Sequence, residues 1–288
     1  MAAPVFSEVI GRYVTVEVAG APYKIFFAER GEGPPLLLQH AGGLHTHQWR
    51  HALEDDELTA RHRVVAFDLP RHGKSDPSPA REWWKEEYRL TGAFLRELTL
   101  AMCDALELDE QTVYVGQGSA GNFALELARS EADRFRGVVA MEAGAHTPGA
   151  FVDWWQHPHA NAAEVGATAC WDQMAPQSPD AERWATWFYY TQGSDAFRGD
   201  LYYYAVEHDL RERLGEIDTA RCPVVMLTGE YAYVPSPQLS RATAEQIPGA
   251  HFVELKGIGH FPMSENYPVF RPYLLDALAR IHAEAPAR

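Results

Sequence analysis

The sequence predicts an α/β fold with a mostly parallel, doubly wound sheet, an antiparallel N-terminal hairpin and a helical insertion. Short apolar runs recur along the 288 residues, helical stretches separate them, and 46% of the residues are hydrophobic. Strands of a parallel sheet are buried on both faces and read as continuous apolar runs. The length and composition therefore predict one globular core with one inserted element.

The predicted elements follow in chain order. Residues 13–18 and 23–27 alternate in side-chain character around Gly20 and Pro22, which predicts a hairpin and an antiparallel edge. Buried strands are predicted at 35–39, 64–67, 113–115, 138–141, 224–228 and 252–255. Helices are predicted at 93–106, 122–129 and 269–282. This alternation is typical of a doubly wound sheet.

Residues 147–214 interrupt the pattern, because no apolar run there predicts a strand while aromatic residues are crowded. We predict a helical cap (lid) over 147–214, inserted into a core of 1–146 and 215–288. Such an insertion would cover the carboxyl ends of the strands, where sites of open α/β sheets lie. The rings predicted to line a substrate pocket are Trp154, Trp155, Trp187 and Tyr190.

The amino-acid composition and charge indicate which kinds of binding partner to expect. A net charge of −15 without a Lys/Arg run argues against nucleic acid and anionic membranes. The N-terminus lacks a signal-peptide pattern and no apolar stretch is long enough to span a bilayer, so we expect a cytoplasmic protein with a small-molecule substrate. Cys103, Cys170 and Cys222 match no metal or redox spacing and are expected to be buried free thiols. We predict no cofactor.

The strongest local signal is residues 113–122, VYVGQGSAGN, a short strand that passes through small residues into a helix. This is the layout of a nucleophile elbow, the G-x-S-x-G turn. If Gly116 precedes the turn, the apex is Gly118 and no nucleophile is present. If Ser119 is the apex, the preceding flank is Gln117, which would crowd the turn. The first register is favoured.

Three further segments resemble the α/β-hydrolase fold superfamily and occur in the order of that family. They are the oxyanion turn at 39–43 (QHAGG), the D-x-P-G-x-G-x-S loop at 68–76 (DLPRHGKSD) and the histidine loop at 257–266 (GIGHFPMSEN). The resemblance implies that the amides of Gly42 and Ser119 form the oxyanion hole and that His260 is the general base. The histidines near position 45 have no acidic or cysteine partner at ligand spacing, so we predict no metal site.

The catalytic acid has two candidates. The family usually takes it from a Gly-x-x-Asp turn after the strand at 224–228, and this chain has Ala232 there. A minority takes it from the preceding strand, where Glu142 stands, an arrangement that resembles the zearalenone-lactonase branch. We favour Glu142 as the residue that would orient His260, with Glu230 as the rival.

Gly118 leaves three interpretations of function open. The chain is a hydrolase of carboxylic esters or lactones that acts on small apolar, cyclic or aromatic substrates through Ser/His/acid chemistry and is disarmed at Gly118. Alternatively Ser119 is the nucleophile of a shifted elbow. In the third interpretation the chain is a non-hydrolytic enzyme of this fold (lyase, cyclase or cofactor-free oxygenase) or a ligand-binding receptor.

We favour the hydrolase, because a pure binding protein needs neither an oxyanion turn nor a histidine with its acid. The resemblance disfavours an epoxide hydrolase or haloalkane dehalogenase, since each needs an aspartate at position 118. Many proteins of this fold are dimers, so a homodimer stays open.

Overall fold

The computed structural model describes residues 5–149, 151, 157 and 159–286. Its centre is one eight-stranded sheet of order β1-β2-β4-β3-β5-β6-β7-β8. The strands are β1 Ile10–Val18, β2 Ala21–Arg30, β3 Pro35–Gln39, β4 Arg63–Phe67, β5 Val113–Gln117, β6 Gly137–Met141, β7 Val224–Gly229 and β8 His251–Leu255. The β1–β2 and β2–β4 pairs are antiparallel and the remaining pairs are parallel. The predicted fold class is confirmed.

Helices cover both faces of this sheet. They are α1 Arg50–Leu53, α2 Asp56–Thr59, α3 Gly92–Ala105, α4 Ser119–Ser130, α5 Ala162–Gln173, α6 Asp180–Tyr190, α7 Ser194–Tyr202, α8 Pro237–Ala244, α9 Pro262–Glu265 and α10 Tyr267–Glu284. The short helices α1, α2, α8 and α9 were not among the predicted elements. No helix in the described ranges is long and apolar enough to cross a membrane.

The core consists of two apolar layers, one on each side of the sheet. Successive residues of a central strand enter opposite layers, as Val138 and Val139 do in β6. The strands β3, β5 and β6 have five residues each, and all of these residues are buried. This burial explains the continuous apolar sequences of the three strands. The three cysteines are buried and unbridged, as expected.

Between β6 and β7 the described residues form α5, α6, α7 and a π-helical turn, Tyr203–Glu207, without a strand. A third apolar cluster joins these helices to the core, with Tyr190 and Phe197 on one side and Ala41 and Phe261 on the other. The helical character predicted for this stretch agrees with the structure. The exact boundaries at 147 and 214 stay a prediction.

Candidate functional site

The strand-to-helix junction after β5 has Gly118 at its apex. Gly118 has φ 62° and ψ −116° and is the N-cap of α4, while Ser119 is already the first residue of the helix. A positive φ favours glycine because it carries no Cβ. The structure therefore places Gly118 at the apex of the turn, where the sequence predicted the nucleophile position, and Ser119 one residue later.

Small residues around the apex allow close backbone approach. A Cβ at Gly116 would lie 2.1 Å from the carbonyl oxygen of Ala120, and one at Gly121 would lie 2.0 Å from that of Met141. Neither position has room for a side chain.

The apex itself differs from these flanks. A Cβ at Gly118 would lie 3.6 Å from Ala41 Cβ and 3.7 Å from His260 Nε2, both ordinary contact distances. A side chain at position 118 would thus fit and would lie against the imidazole.

His260 and Glu142 lie together behind this apex. Glu142 directly follows β6 and is fully buried, and its Oε1 accepts a hydrogen bond from the Gly229 amide at 2.7 Å. Its Oε2 is 3.6 Å from His260 Nδ1, and neither of these two atoms has a hydrogen-bond partner among the described residues. Hydrogen bonds of catalytic pairs are often long without substrate. The carboxylate is placed to hold the imidazole with Nε2 toward Gly118.

Burial shifts both groups toward their neutral forms. Burial lowers the pKa of His260 to about 3. Burial, followed in size by the lowering effect of the Gly229 amide and the raising effect of Glu265, leaves the pKa of the Glu142 carboxyl well above its usual range. Both shifts follow from the cost of holding a charge on a buried group.

The other candidate acid, Glu230, does not face His260. Glu230 has a side chain that is 40% exposed, accepts a hydrogen bond from the Gly257 amide at 2.9 Å and pairs with Lys256 at 3.5 Å. Ala232 fills the position where the family usually has aspartate. Of the two candidates, Glu142 is the one that faces His260.

The turn at 39–43, predicted to be the oxyanion turn, lines the same cavity as the histidine. Gly42 and Ser119 both line the cavity that also contains Gly118 and His260. Ser119 is the first residue of α4, where backbone N–H groups have no acceptor within the helix. The amides on either side of Gly42 are held by side chains, that of Ala41 by Gln48 at 2.9 Å and that of Gly43 by Asp200 at 2.7 Å. These contacts restrain the backbone on both sides of Gly42.

A chain of buried amides joins the three parts of the site. Gln48 accepts from the Ala41 amide and donates to Gln117 Oε1 at 3.0 Å, and Gln117 donates to the His260 carbonyl oxygen at 2.7 Å. Sequence reasoning missed these two glutamines. The position of Gln117 among the small residues of the turn was a signal for such a network. A large amide side chain there would be buried, and a buried amide requires hydrogen-bond partners.

The cavity beside Gly118 is mostly apolar and has a volume of about 280 Å³. Tyr190 lines it, as predicted, whereas Trp187 packs edge to face against Trp184. Trp154 and Trp155 lie outside the described residues. Lining residues that the sequence did not single out are Gln173, Phe197, Leu201, Tyr204, Tyr233 and Val234.

A second depression, of about 370 Å³, lies beside Trp83 and Tyr88. Its lining includes neither Gly118 nor His260, so we assign the site to the smaller cavity. In the described ranges, no group of three or more His, Cys, Asp or Glu side chains is placed to hold a metal ion.

Comparison with known proteins agrees with this architecture. Residues 34–167 match the family model of the alpha/beta hydrolase fold. The enol-lactonase from Burkholderia xenovorans superposes with a TM-score of 0.76 at 19% identity, over 92% of this chain and 100% of that one. A thermophilic esterase from Thermogutta terrifontis gives a TM-score of 0.75 at 20% identity, over 94% and 99%. The chain therefore has the α/β-hydrolase fold, and residues 34–167 are similar to that family.

Curated relatives match part of the chain. A 2-hydroxymuconate semialdehyde hydrolase from Pseudomonas sp. is 32% identical over 51% of this chain and 49% of its own length. A haloalkane dehalogenase from Sphingobium indicum is 25% identical over 50% of this chain and 44% of its own length. The chain thus matches somewhat less than half the length of these relatives.

Proposed function

We propose that this chain carries the site of a carboxylic ester or lactone hydrolase whose nucleophile position is held by Gly118. One observation carries the proposal. The space for a Cβ at position 118 lies 3.7 Å from His260 Nε2, and Glu142 lies behind the same imidazole. An oxyanion turn, a base and an acid around an unobstructed apex match the requirements of acyl transfer.

The proposed chemistry follows the Ser/His/acid scheme. A serine hydroxyl at position 118 would attack the acyl carbon while His260 Nε2 takes its proton. The amides of Gly42 and Ser119 would stabilise the oxyanion, and Glu142 would stabilise the imidazolium. His260 would then return the proton to the leaving alkoxide, and water would hydrolyse the acyl-enzyme. Gly118 removes the first step and leaves the binding groups in place.

The lining of the cavity supports a small, apolar substrate. Tyr190, Phe197 and Tyr204 supply aromatic surface, and the volume suits a compact ring-bearing ester or lactone. The names of two structural neighbours, an enol-lactonase and an esterase, agree with this class. A dehalogenase is disfavoured because position 118 lacks the aspartate that such an enzyme uses.

Gly118→Ser tests the proposal. We expect hydrolysis of p-nitrophenyl esters or aryl lactones to rise by about 10³-fold or more, since a triad without its serine loses at least that much. Gly118→Ala is the matched control, because it adds the same Cβ in the same left-handed backbone without a hydroxyl. A folded Gly118→Ser protein no faster than Gly118→Ala would refute the proposal.

Ser119→Ala separates the shifted-elbow interpretation. Ser119 is buried and lines the cavity, but it follows the apex. We expect any esterase activity of the unaltered chain to survive Ser119→Ala. Loss of that activity in a folded variant would identify Ser119 as the nucleophile.

A ligand-binding protein is the second candidate, and Gly118 is the observation that favours it. This alternative predicts tight binding of an apolar ester or lactone without turnover, measured by calorimetry. His260→Ala would then change affinity alone.

A further inference from the structure

Asp200, on α7, reaches the oxyanion turn with a fully buried carboxylate. Its Oδ2 accepts the Gly43 N–H at 2.7 Å and lies 2.7 Å from His72 Nε2. Its Oδ1 accepts the hydroxyl of Tyr88 at 3.2 Å. The side chains of Asp200 and His72 are both 0% exposed. A carboxylate in such a place is costly unless it is paired and hydrogen-bonded, so the contacts depend on one another.

His72 is the counter-ion of this carboxylate. Its Nδ1 lies 3.0 Å from the carbonyl oxygen of Pro70, and its Nε2 faces Asp200, so both ring nitrogens face acceptors and both carry a proton. Burial disfavours the charged ring, but Asp200 outweighs burial and the pKa of His72 is raised. The ring also lies 5.0 Å from that of His40. The ion pair joins the D-x-P loop of the core to the inserted helices.

The same helix contacts the candidate substrate site. Phe197 and Leu201 of α7 line the cavity. Phe197 also packs on the oxyanion turn, since a Cβ at Gly43 would lie 2.8 Å from its Cδ2. One helix therefore contacts both the space for substrate and the backbone beside the oxyanion donor.

We propose that Asp200 is a positioning residue of the oxyanion hole, with His72 as its counter-ion. By holding the Gly43 N–H, Asp200 orients the preceding peptide, whose Gly42 N–H would face the oxyanion. The catalytic part of this inference rests on the proposed function, whereas the restraint on the turn does not. Geometry of this kind matters because oxyanion donors act through preorganisation.

Hydrogen exchange tests the restraint in the chain as it stands. We expect Asp200→Leu to raise the exchange rate of the Gly43 amide by about tenfold or more, because leucine has a similar size but no oxygen to accept the Gly43 N–H. The exchange of the Gly229 amide, which Glu142 holds, is expected to stay unchanged. Glu182→Gln is the matched control, since Glu182 of α6 also fastens an inserted helix to the core, through Arg50 and His51. Unchanged Gly43 exchange in folded Asp200→Leu would overturn the inference.

Kinetics in the Gly118→Ser background test the catalytic role. We expect Asp200→Leu to lower kcat by about tenfold or more with KM within about twofold, because an oxyanion donor acts in the transition state. Glu182→Gln is expected to leave both constants within about twofold. Faster Gly43 exchange with an unchanged kcat would refute a positioning role. If Gly118→Ser is itself inactive, the proposed function fails, and Gly43 exchange alone decides whether Asp200 restrains the turn.

Asp200→Leu leaves His72 without its counter-ion, which threatens folding. Asp200→Leu combined with His72→Leu removes both charges and leaves no side-chain acceptor for the Gly43 N–H. We expect this pair to fold and to show the same fast Gly43 exchange. Slow exchange at Gly43 in the folded double variant would contradict the inference.

Discussion

Gly118 combines a left-handed backbone with space for a side chain. Its φ of 62° is one that side chains rarely adopt, yet the nearest atoms to a Cβ are at 3.6 and 3.7 Å. Gly116 and Gly121 beside it have no such space. The elbow therefore accepts a side chain at its apex at the cost of backbone strain, on the order of 1–3 kcal/mol for a residue held in this region.

The two candidate acids predict opposite mutational results. In the Gly118→Ser background, Glu142→Gln is expected to lower kcat by about 10²-fold or more, because an amide favours the wrong imidazole tautomer. Its oxygen can still accept from Gly229, so folding is preserved. Glu230→Gln is expected to leave kcat within about twofold, because Glu230 is on the surface. Steady-state ester hydrolysis measures both, and a larger loss in Glu230→Gln would reverse the assignment.

The turn between β1 and β2 holds an alanine in an unfavourable backbone conformation. Val18 pairs with Ala21, so Ala19 and Gly20 form a two-residue turn, and both have positive φ, of 50° and 70°. Such turns favour Asn-Gly, and alanine is a poor first residue. The turn lies one residue earlier than the Gly20–Pro22 segment that the sequence singled out.

Ala19→Asn is expected to stabilise this hairpin. Because asparagine tolerates the left-handed region better than alanine, we expect a gain of about 0.5–1 kcal/mol in the free energy of unfolding. Thermal unfolding would show a Tm increase of about 1–3 °C. Gly20→Ala is the matched control and is expected to lower the Tm, since its Cβ meets no atom within 4 Å and adds strain alone. An unchanged or lower Tm for Ala19→Asn would contradict this view of the turn.

Across the whole molecule, Glu265 joins the histidine loop to the inserted helices. It is fully buried and accepts from the Gly259 amide in the loop and from the Ala175 amide, at 3.1 Å, between α5 and α6. Burial raises the pKa of Glu265 to about 8, against the lowering effect of these two amides. A titrating group thus lies where the two parts of the fold meet.

This raised pKa predicts a pH dependence of stability. The folded state holds a proton that the unfolded chain releases above its own pKa of roughly 4.3, so the contribution of Glu265 is full below that pH and is lost as pH rises toward 8. We expect Glu265→Gln to have lower stability overall, because an amide oxygen can serve one of the two N–H donors. Its free energy of unfolding should fall less than that of the parent between pH 5 and 8, as measured by urea denaturation.

Glu182→Gln provides the control of opposite sign. Burial would raise the pKa of Glu182, but hydrogen bonds from His51 and Arg50 lower it, so its contribution is lost at acidic pH. Between pH 5 and 8 the free energy of unfolding of Glu182→Gln should change with pH by the same amount as that of the parent. If the free energy of unfolding of Glu265→Gln also changed by that amount, Glu265 would not be the titrating group.

Many features of the fold could be predicted from short stretches of the sequence. The buried strands are continuous apolar runs, the glycine at the elbow apex reflects a local backbone requirement, and the histidine loop follows the last strand. These features are local, because periodicity and φ preferences depend on a few neighbouring residues. For the same reason the sequence by itself predicts the fold class and a histidine loop after the last strand.

The remaining features depend on contacts between residues far apart in the chain. Glu142 faces His260 because β6 lies beside β5 and β7. Glu230 also directly follows a buried strand, but its side chain lies at the surface. The partnership of Asp200 with Gly43 and the lining by Phe197 likewise arise where α7 packs on the core. Burial and partner choice are properties of the packed chain. The motifs therefore predict the parts of the candidate site, whereas tertiary packing decides which acid faces His260, which side chains line the cavity and which carboxylate accepts the Gly43 N–H.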